Sequence, residues 1–293
     1  NIGRPVLDLD AADGIAVVEV SSFQIDLSPT LTPDAGAVLN VTEDHLDRHG
    51  TFANYAAIKR RLAEQARIAV IGETSVETFH MGRSFRHSGK PCFGFGVARF
   101  RGDDPPRAQD WEERRRVDFE DGIVARSILE RRRFDESPRL RDVHVGWRLV
   151  ELRGGTGRVL GELPDAASLK GDHNVANAAA ALAMVLALGL DPAEAVPHLA
   201  TFAGLPHRME EVGRDGSVVF VNDSKATNAQ SARQALSAFD RVLWIAGGRA
   251  KEGGIASLSD LFGRVERAYL IGESAQAFAS TLSGAVPTEV SGT

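Results

Sequence analysis

A carboxylate and two other polar groups stand where an apolar run ends. Glu19 lies near the end of the apolar run 15–20, and Ser21 and Gln24 follow it with a hydroxyl and an amide. Such a run predicts a buried parallel strand, and open parallel sheets bind ligands beyond the carboxyl ends of their strands. Glu19 is therefore placed to hold a hard cation such as Mg²⁺. The alternative is a carboxylate that only caps the next turn.

A second polar string, residues 40–48, begins at the end of the apolar run 35–41. Asp44, His45 and Arg48 lie close together in it. An imidazole binds divalent metals, and a carboxylate beside a guanidinium orients a charged substrate. The alternative is a solvated loop in which a threonine caps a short helix. Two polar strand ends in one sheet favour the functional interpretation.

Two predicted helices carry further candidates. Residues 52–66 have helical spacing, and Lys59 lies on that helix, where a lone lysine is usually solvated surface. The helix predicted over residues 172–188 carries Asn174 and Asn177 near its N-terminus, three positions apart and therefore on one face. A helix N-terminus favours anions and offers free N–H groups. Capping by an aspartate is the alternative, and the two roles are compatible.

Polar groups continue after a predicted linker at residues 204–206. Arg208 has a forked guanidinium that suits phosphate oxygens. Asp223, Lys225 and Thr227 follow a predicted parallel strand and precede a predicted helix. A site for a cation-linked nucleotide and a carboxylate needs this mixture of groups. Helix capping is the alternative, but it accounts for only part of the string.

A glycine-rich string, residues 247–251, follows a predicted strand over residues 242–246. Glycines let backbone N–H groups approach an anion closely, and Lys251 adds a positive charge. The alternative is a glycine-rich turn with a lysine on the surface.

Composition and missing motifs exclude several classes of protein. The net charge of −6 and the lack of an apolar run of about 18 residues argue against nucleic-acid and membrane partners. The single Cys92 excludes an internal disulfide and fits a reducing compartment. A phosphate-binding P-loop fails because Ser84 and Pro91 stand where a glycine and a hydroxyl residue are needed. Dinucleotide, zinc-protease and serine-hydrolase motifs also fail.

Residues 99–142 hold 12 arginines and 12 acidic residues, so their charges cancel. Binding to RNA requires net positive charge, so we interpret this segment as a solvated excursion with mixed salt bridges. A hairpin is predicted over residues 147–163. Elsewhere strands and helices alternate, which predicts a parallel sheet covered by helices on both faces. The linker divides a domain of residues 1–203 from one of residues 204–293.

Together and in this order, these strings resemble the Mur ligases, and among them the member that adds D-glutamate. The resemblance covers nearly the whole chain outside the charged segment. It implies an α/β fold, with a parallel-sheet central ATP-binding domain followed by a Rossmann-like α/β C-terminal domain, each incomplete here. The strings that carry it are residues 1–3, 19–24, 39–48, 55–59, 173–177, 205–208, 222–228 and 247–251.

The resemblance implies an ATP-dependent amide ligase of peptidoglycan precursor synthesis, acting in the cytoplasm as a monomer. Its substrates would be UDP-N-acetylmuramoyl-L-alanine and D-glutamate. ATP would phosphorylate the substrate carboxylate, and the amine of D-glutamate would attack the acyl phosphate. Two Mg²⁺ ions would assist, with no nucleic acid or membrane involved.

The resemblance also assigns a role to each candidate residue. Glu19, His45 and carbamylated Lys59 would bind Mg²⁺, and Lys59, His45 and Lys225 would take part in catalysis. The residues that would contact ATP are Asn174, Asn177, Arg208 and Asp223. The residues that would bind D-glutamate are Lys225, Thr227 and Lys251. The residues that would approach the muramoyl substrate are Asn1, Ser21, Gln24 and Asp44.

The chain departs from the family's pattern in three ways. The family has an N-terminal uridine-binding domain and a P-loop ahead of the position of Asn1, and its C-terminal domain continues past Thr293. Ala250 stands where an aspartate is common. We therefore expect this chain to be a piece of the ligase that is inactive by itself.

Two kinds of alternative function stay open. The nearest is a sister Mur ligase or folylpolyglutamate synthase, which would accept a different amino acid. The other is a non-catalytic module that binds nucleotide or UDP-sugar. The intact set of candidate residues argues against the module, because binding alone does not need the cation ligands and the lysine.

Overall fold

The computed structural model describes residues 8, 14–98, 121–133, 140–154, 156–163, 167–169, 171–250 and 253–292. The chain divides into two compact units. The first comprises Asn1–Leu163 and Ala176–Pro197, and the second comprises Pro164–Val175 and His198–Thr293. The domain boundary between residues 203 and 204 stays a prediction.

The first unit is built on a six-stranded sheet with the strand order β1-β2-β3-β4-β5-β6. Neighbours are parallel from β1 to β4, whereas β4, β5 and β6 pair antiparallel. The strands are β1 (Ala35–Val38), β2 (Ile68–Gly72), β3 (Cys92–Ala98), β4 (Gly122–Arg133), β5 (Leu140–Arg153) and β6 (Thr156–Glu162).

Helices α1 to α4 lie between residue 21 and β3 in the chain. Helix α5 follows β6, and its residues from Ala176 onward belong to the first unit. The helices are α1 (Ser22–Leu27), α2 (Leu46–His49), α3 (Phe52–Gln65), α4 (Val76–His87), α5 (Asp172–Ala187) and α6 (Pro192–Ala195).

The core of the first unit forms where β2 lies between two parallel neighbours. Ala69, Val70 and Ile71 are fully buried, as expected for a strand whose two faces are both covered. Helix α3 begins where the Thr51 side chain accepts a hydrogen bond from the Asn54 N–H at 3.2 Å. This helix packs on β1 and carries two residues of the candidate site, described below.

The second unit contains a hairpin of β7 (Glu210–Asp215) and β8 (Val218–Asn222) and a three-stranded parallel sheet. That sheet has the order β11-β10-β9, with β9 (Val242–Gly247), β10 (Val265–Ile271) and β11 (Thr288–Val290). Its helices are α7 (Ala229–Ser237) and α8 (Ala275–Leu282). The 3₁₀ helices of the chain include Ala167–Leu169, Val196–Thr201 and Ala256–Arg264.

The α/β class is confirmed by this mixture of parallel sheets and helices. The predicted helices over residues 52–66 and 172–188 correspond to α3 and α5. The predicted hairpin over residues 147–163 corresponds to the end of β5 and to β6. Among the described helices, none combines the length and the apolar character needed to cross a bilayer.

One strand prediction is wrong, and for a second predicted strand only the parallel pairing is wrong. Residues 15–20 form no strand: Val17 is 90% exposed, and the run belongs to none of the sheets in the described part of the chain. An apolar run becomes a strand only where a neighbour satisfies its backbone groups. The strand predicted over residues 217–221 corresponds to β8, but β8 pairs antiparallel with β7 rather than joining the parallel sheet. Pairing with the preceding run needs only a tight turn at Gly216.

The interpretation of residues 99–142 as a solvated excursion is wrong for its described part. Within that part, Gly122–Arg133 is strand β4, parallel to β3. Ile123, Val124 and Ala125 are fully buried in the sheet. Four small or apolar residues in a row are sufficient to enter the core despite the charges around them. Residues 99–120 and 134–139 lie outside the described residues.

The close packing of α3 on β1 generates a stability prediction. A Cβ added at Gly36 would lie 2.8 Å from both the Leu62 carbonyl oxygen and the Ala66 Cβ. Because backbone atoms cannot yield as a side chain can, we expect Gly36→Ala to lower the free energy of unfolding by about 1–3 kcal/mol. Urea denaturation measures the change.

Gly82→Ala is the matched control for this prediction. Its new Cβ would meet mainly the flexible end of Arg86, at 3.2 Å. Alanine also has the higher helix propensity, so the free energy of unfolding should change by less than about 1 kcal/mol. Equal stability of the two variants would contradict the close approach at Gly36.

Candidate functional site

Ser21 and Gln24, the residues at the start of α1 that are predicted to contact the substrate, are hydrogen-bonded to each other. The Ser21 N–H donates to Gln24 Oε1 at 2.8 Å, and the Gln24 N–H donates to Ser21 Oγ at 3.3 Å. This reciprocal pair is a capping box that starts the helix. Both side chains therefore have a structural role at the start of α1.

Asp44 and His45 form a tight local unit ahead of α2. The His45 N–H donates to Asp44 Oδ1 at 3.0 Å, and His45 Nε2 lies 3.7 Å from Asp44 Oδ2. His45 has the left-handed backbone conformation, with φ 55°, which is uncommon for a residue other than glycine. Its ring meets Phe23 edge-on, with the ring centroids 5.3 Å apart. The imidazole is thereby held against α1.

Lys59 is partly buried, unlike a typical lysine on the surface of a helix. Its Nζ stands 5.2 Å from the centroid of the Tyr55 ring. Burial lowers the pKa of Lys59, while the negative charges of Glu19 and Asp44 act in the opposite direction. Burial also raises the pKa of Tyr55, and the charge of Asp44 adds to that effect. The structure thus brings Glu19, Asp44 and Lys59 within electrostatic range of one another.

Glu19, His45 and Lys59 are the predicted ligands of a divalent cation, and the atoms that they offer decide whether such a cation fits. Within the described part of the chain, no group of three or more His, Cys, Asp or Glu side chains could hold a metal ion. Glu19 and His45 offer one oxygen and one nitrogen ligand, and an ammonium group offers none. A carbamate on Lys59 would add oxygen ligands of the kind that Mg²⁺ prefers. The residues fit Mg²⁺ on the condition that Lys59 is carbamylated.

Sequence reasoning missed a buried pair beside these residues. Ser22 Oγ lies 3.0 Å from His49 Nε2, and each residue is only 5% exposed. His49 also contacts the rings of Phe23 and Tyr55. The available signal was the spacing of His45 and His49, four positions apart, and in the structure both rings lie against Phe23.

In the second unit, Asp223 is held at the end of β8. Its Oδ1 accepts a hydrogen bond from the Met209 N–H at 3.0 Å. Burial raises the pKa of Asp223, whereas that hydrogen bond and the neighbouring His173 and Arg208 lower it. The structure therefore brings Asp223 and Arg208, two predicted ATP contacts, into one electrostatic cluster, and adds His173 to it.

The string after Asp223 is ordered by backbone hydrogen bonds. The Lys225 N–H donates to the His207 carbonyl at 3.1 Å, and the Thr227 N–H donates to the Lys225 carbonyl at 2.9 Å. Asn228 caps α7 by accepting from the Ser231 N–H at 2.8 Å. The helix cap is therefore Asn228, and the Thr227 side chain is not needed for it.

The remaining predicted residues have different outcomes. Asn174 and Asn177 lie on the first turns of α5, where Asn174 is half-buried and Asn177 is exposed. In the glycine-rich string, the Gly248 N–H donates to the Ile271 carbonyl and the Ala250 N–H to Ser274 Oγ. These donors are already used within the protein, which favours the glycine-rich turn. Asn1 and Lys251 lie outside the described residues.

Comparison with known sequences identifies similar proteins. The family model for the Mur ligase middle domain matches residues 5–115. Two curated proteins named UDP-N-acetylmuramoylalanine--D-glutamate ligase, from Agrobacterium fabrum and Rhizobium meliloti, are 45% and 44% identical over 100% of this chain. The matches cover 55% and 56% of those proteins, so the chain spans about half the length of the curated relatives it matches.

Solved structures share the fold at low sequence identity. MurF from Acinetobacter baumannii matches with a TM-score of 0.57 and 19% identity, over 90% of this chain and 52% of that chain. MurC from Thermotoga maritima matches with a TM-score of 0.56 and 16% identity, over 92% and 53%. A complex of FPGS with AMPPCP and folate matches with a TM-score of 0.53 and 18% identity, over 88% and 58%.

The cluster in the second unit generates a titration prediction. Burial lowers the pKa of His173 from its ordinary value of 6.5, and the charge of Asp223 opposes that effect. Removing this charge in Asp223→Asn should therefore lower the pKa of His173 further. The histidine then stays neutral to lower pH. Because the unfolded chain binds the proton below about pH 6.5 and the folded chain does not, the free energy of unfolding falls as the pH is lowered from that value.

An NMR titration of the histidine ring protons measures this pKa, with His173→Gln to assign the resonance. Asp215→Asn is the matched control, because Asp215 is exposed and does not affect His173. A His173 pKa that rises or stays constant in Asp223→Asn would contradict the described cluster.

Proposed function

Because the chain belongs to the Mur ligase family, we propose that the whole protein joins D-glutamate to UDP-N-acetylmuramoyl-L-alanine, using ATP, in peptidoglycan precursor synthesis. The observation that carries this proposal is the 45% identity, over the entire chain, with a ligase of that name. The structures of MurF, MurC and FPGS support the shared fold alone. The identity of the amino acid therefore depends on the sequence match.

The proposed reaction makes an amide bond in two stages. When bound, ATP and Mg²⁺ supply the transferred phosphoryl group and the charge neutralisation for it. The alanyl carboxylate takes up the phosphoryl group and ADP leaves, and the amine nitrogen of D-glutamate then attacks the carbonyl carbon of the acyl phosphate and loses a proton. The tetrahedral intermediate loses phosphate and leaves the amide. What the chain supplies is alignment and electrostatic stabilisation of these groups.

In the first unit, we assign the cation to Glu19, His45 and carbamylated Lys59. A neutral amine adds to CO₂ and loses one proton to form a carbamate. Burial lowers the pKa of Lys59, so a larger fraction of its amine is neutral near pH 7. This supports Lys59 as the modified residue. Ser21, Gln24 and Asp44 would approach the muramoyl substrate.

We assign ATP contacts to Asn174, Arg208 and Asp223 of the second unit and to Asn177, which lies on the part of α5 that belongs to the first unit. Arg208 would pair with phosphate oxygens, and Asp223 would accept hydrogen bonds. Lys225 and Thr227 would orient D-glutamate, together with Lys251, and Asn1 would approach the muramoyl substrate. We place the protein in the cytoplasm as a monomer.

The decisive assay is ligation by the whole protein. We expect it to form one amide product and one phosphate per ATP when supplied with UDP-N-acetylmuramoyl-L-alanine, Mg²⁺ and D-glutamate. L-Alanine, L-lysine and L-glutamate should give no product. Mass spectrometry of the nucleotide product measures the outcome.

The other outcomes of this assay identify the alternatives. Ligation of a different amino acid would indicate a sister ligase or folylpolyglutamate synthase. Binding of nucleotide or UDP-sugar without turnover would indicate a non-catalytic module. Either result would overturn the proposed function.

Carbamylation of Lys59 has a separate spectroscopic test. We expect the whole protein in ¹³C-bicarbonate to show one carbamate resonance, because the burial that lowers the pKa of Lys59 increases the neutral fraction of its amine. Lys59→Arg should remove the resonance. Lys90→Arg is the matched control, since Lys90 Nζ lies at the end of α3 and donates to the Glu64 carbonyl at 2.9 Å. A resonance that persists in Lys59→Arg would assign the carbamate elsewhere.

A further inference from the structure

A buried hydrogen bond connects α1 with α2. Ser22 Oγ and His49 Nε2 lie 3.0 Å apart and 27 positions apart in the chain, and both residues are 5% exposed. A buried polar group that loses its partner pays the full cost of its desolvation. Neither side chain can therefore turn away from the other without leaving an unsatisfied group behind.

Helix α2 needs such an external anchor. It has four residues, about one turn, and helices this short are not stable by themselves in water. It follows His45, whose left-handed φ of 55° costs free energy that the surroundings must offset. The His49 N–H donates to the His45 carbonyl at 3.0 Å, so the two histidines are joined by one turn of backbone.

The His49 ring also reaches the residues that surround the proposed cation ligands. Its centroid lies 5.4 Å from that of Phe23 and 5.5 Å from that of Tyr55. Phe23 in turn meets His45 edge-on, and Tyr55 lies under Lys59. His49 thus packs between the side chain that supports His45 and the side chain that supports Lys59.

Exposed ion pairs between the same helices do not replace this contact. Arg48 lies 3.3 Å from Asp26 of α1, and their side chains are 44% and 32% exposed. Pairs with that exposure contribute little to holding a geometry. The buried Ser22–His49 bond is therefore the stronger constraint on where α2 sits.

We propose that His49 is a positioning residue, which fixes His45 and Lys59 relative to each other through its hydrogen bond to Ser22 and its packing between Phe23 and Tyr55. The proposal rests on the proposed function, because it acts on the ligands assigned there. It adds that the cation site is held by a histidine that touches neither metal nor substrate.

The kinetic test uses the whole protein and three variants. His49→Leu should lower kcat about tenfold or more, as loss of an outer residue of a metal site commonly does. The KM for D-glutamate should stay unchanged, because its proposed contacts lie in the second unit. His49→Gln should recover most of kcat, since the glutamine amide can replace the Nε2 hydrogen bond. His80→Leu, a change of an exposed histidine on α4, is the matched control.

Coupling to Ser22 is tested by a double-mutant cycle. Ser22→Ala removes only the hydroxyl and should lower kcat in the same direction as His49→Leu. If the two residues act through one hydrogen bond, the double variant should have about the same kcat as the more impaired of the two single variants. Effects that multiply, or a His49→Leu variant with normal kcat, would overturn the proposal.

A spectroscopic readout separates this proposal from the proposed function. In whole protein labelled with ¹³C at the histidine Cε1, the His45 resonance should shift in His49→Leu and in Ser22→Ala, and stay in place in His49→Gln and His80→Leu. If the wild type does not ligate D-glutamate, the proposed function fails, and these shifts alone decide the positioning role. An unmoved His45 resonance in both Ser22→Ala and His49→Leu would overturn it. Ser22→Ala serves if His49→Leu fails to fold.

Discussion

The candidate site of the first unit depends on the close approach of α3 to β1. A Cβ at Gly36 would force the backbone to shift, because it would lie 2.8 Å from both the Leu62 carbonyl oxygen and the Ala66 Cβ. Helix α3 carries Tyr55 and Lys59, and the chain that leaves β1 reaches Asp44 and His45 a few residues later. One helix–strand contact therefore fixes the distance between the lysine and the acidic loop.

In each unit, burial and the neighbouring charges shift the pKa of one group in opposite directions. Burial lowers the pKa of Lys59 although two carboxylates favour its charged form, and it raises the pKa of Asp223 although His173 and Arg208 favour its ionised form. In each case the direction of the shift shows that desolvation exceeds the attraction of the neighbours. The uncharged form of each group is thereby more accessible than it would be on the surface.

The sequence predicts elements whose signals are local. Helix α3 follows from the Thr51 cap and its apolar spacing, and the β5–β6 hairpin follows from a glycine-rich turn. Elements that depend on a distant neighbour are not predictable in this way. Residues 15–20 have the composition of a strand and form none, and residues 218–222 have the same composition but pair with β7. Composition indicates that a run can pair, and only tertiary structure decides with what.

The residues of the candidate site also divide into those with a local sequence signal and those that depend on distant neighbours. The blocks that contain Glu19, His45 and Asp223 stand out because several polar types crowd at the end of an apolar run. Lys59 does not, since nothing near it in the sequence predicts that Tyr55 and the acidic residues will surround its amine.

His49 is the clearest example of a residue whose role is not predictable from the sequence. In sequence it is one more titratable residue in a polar loop, whereas in the structure it is buried against a serine from another helix. A polar residue becomes a constraint when its partner is fixed and water is excluded, because breaking the bond then leaves two unsatisfied groups. The residue that bears a charge and the residue that holds it in place are therefore found by different signals. The first is visible in residue type, and the second only in burial.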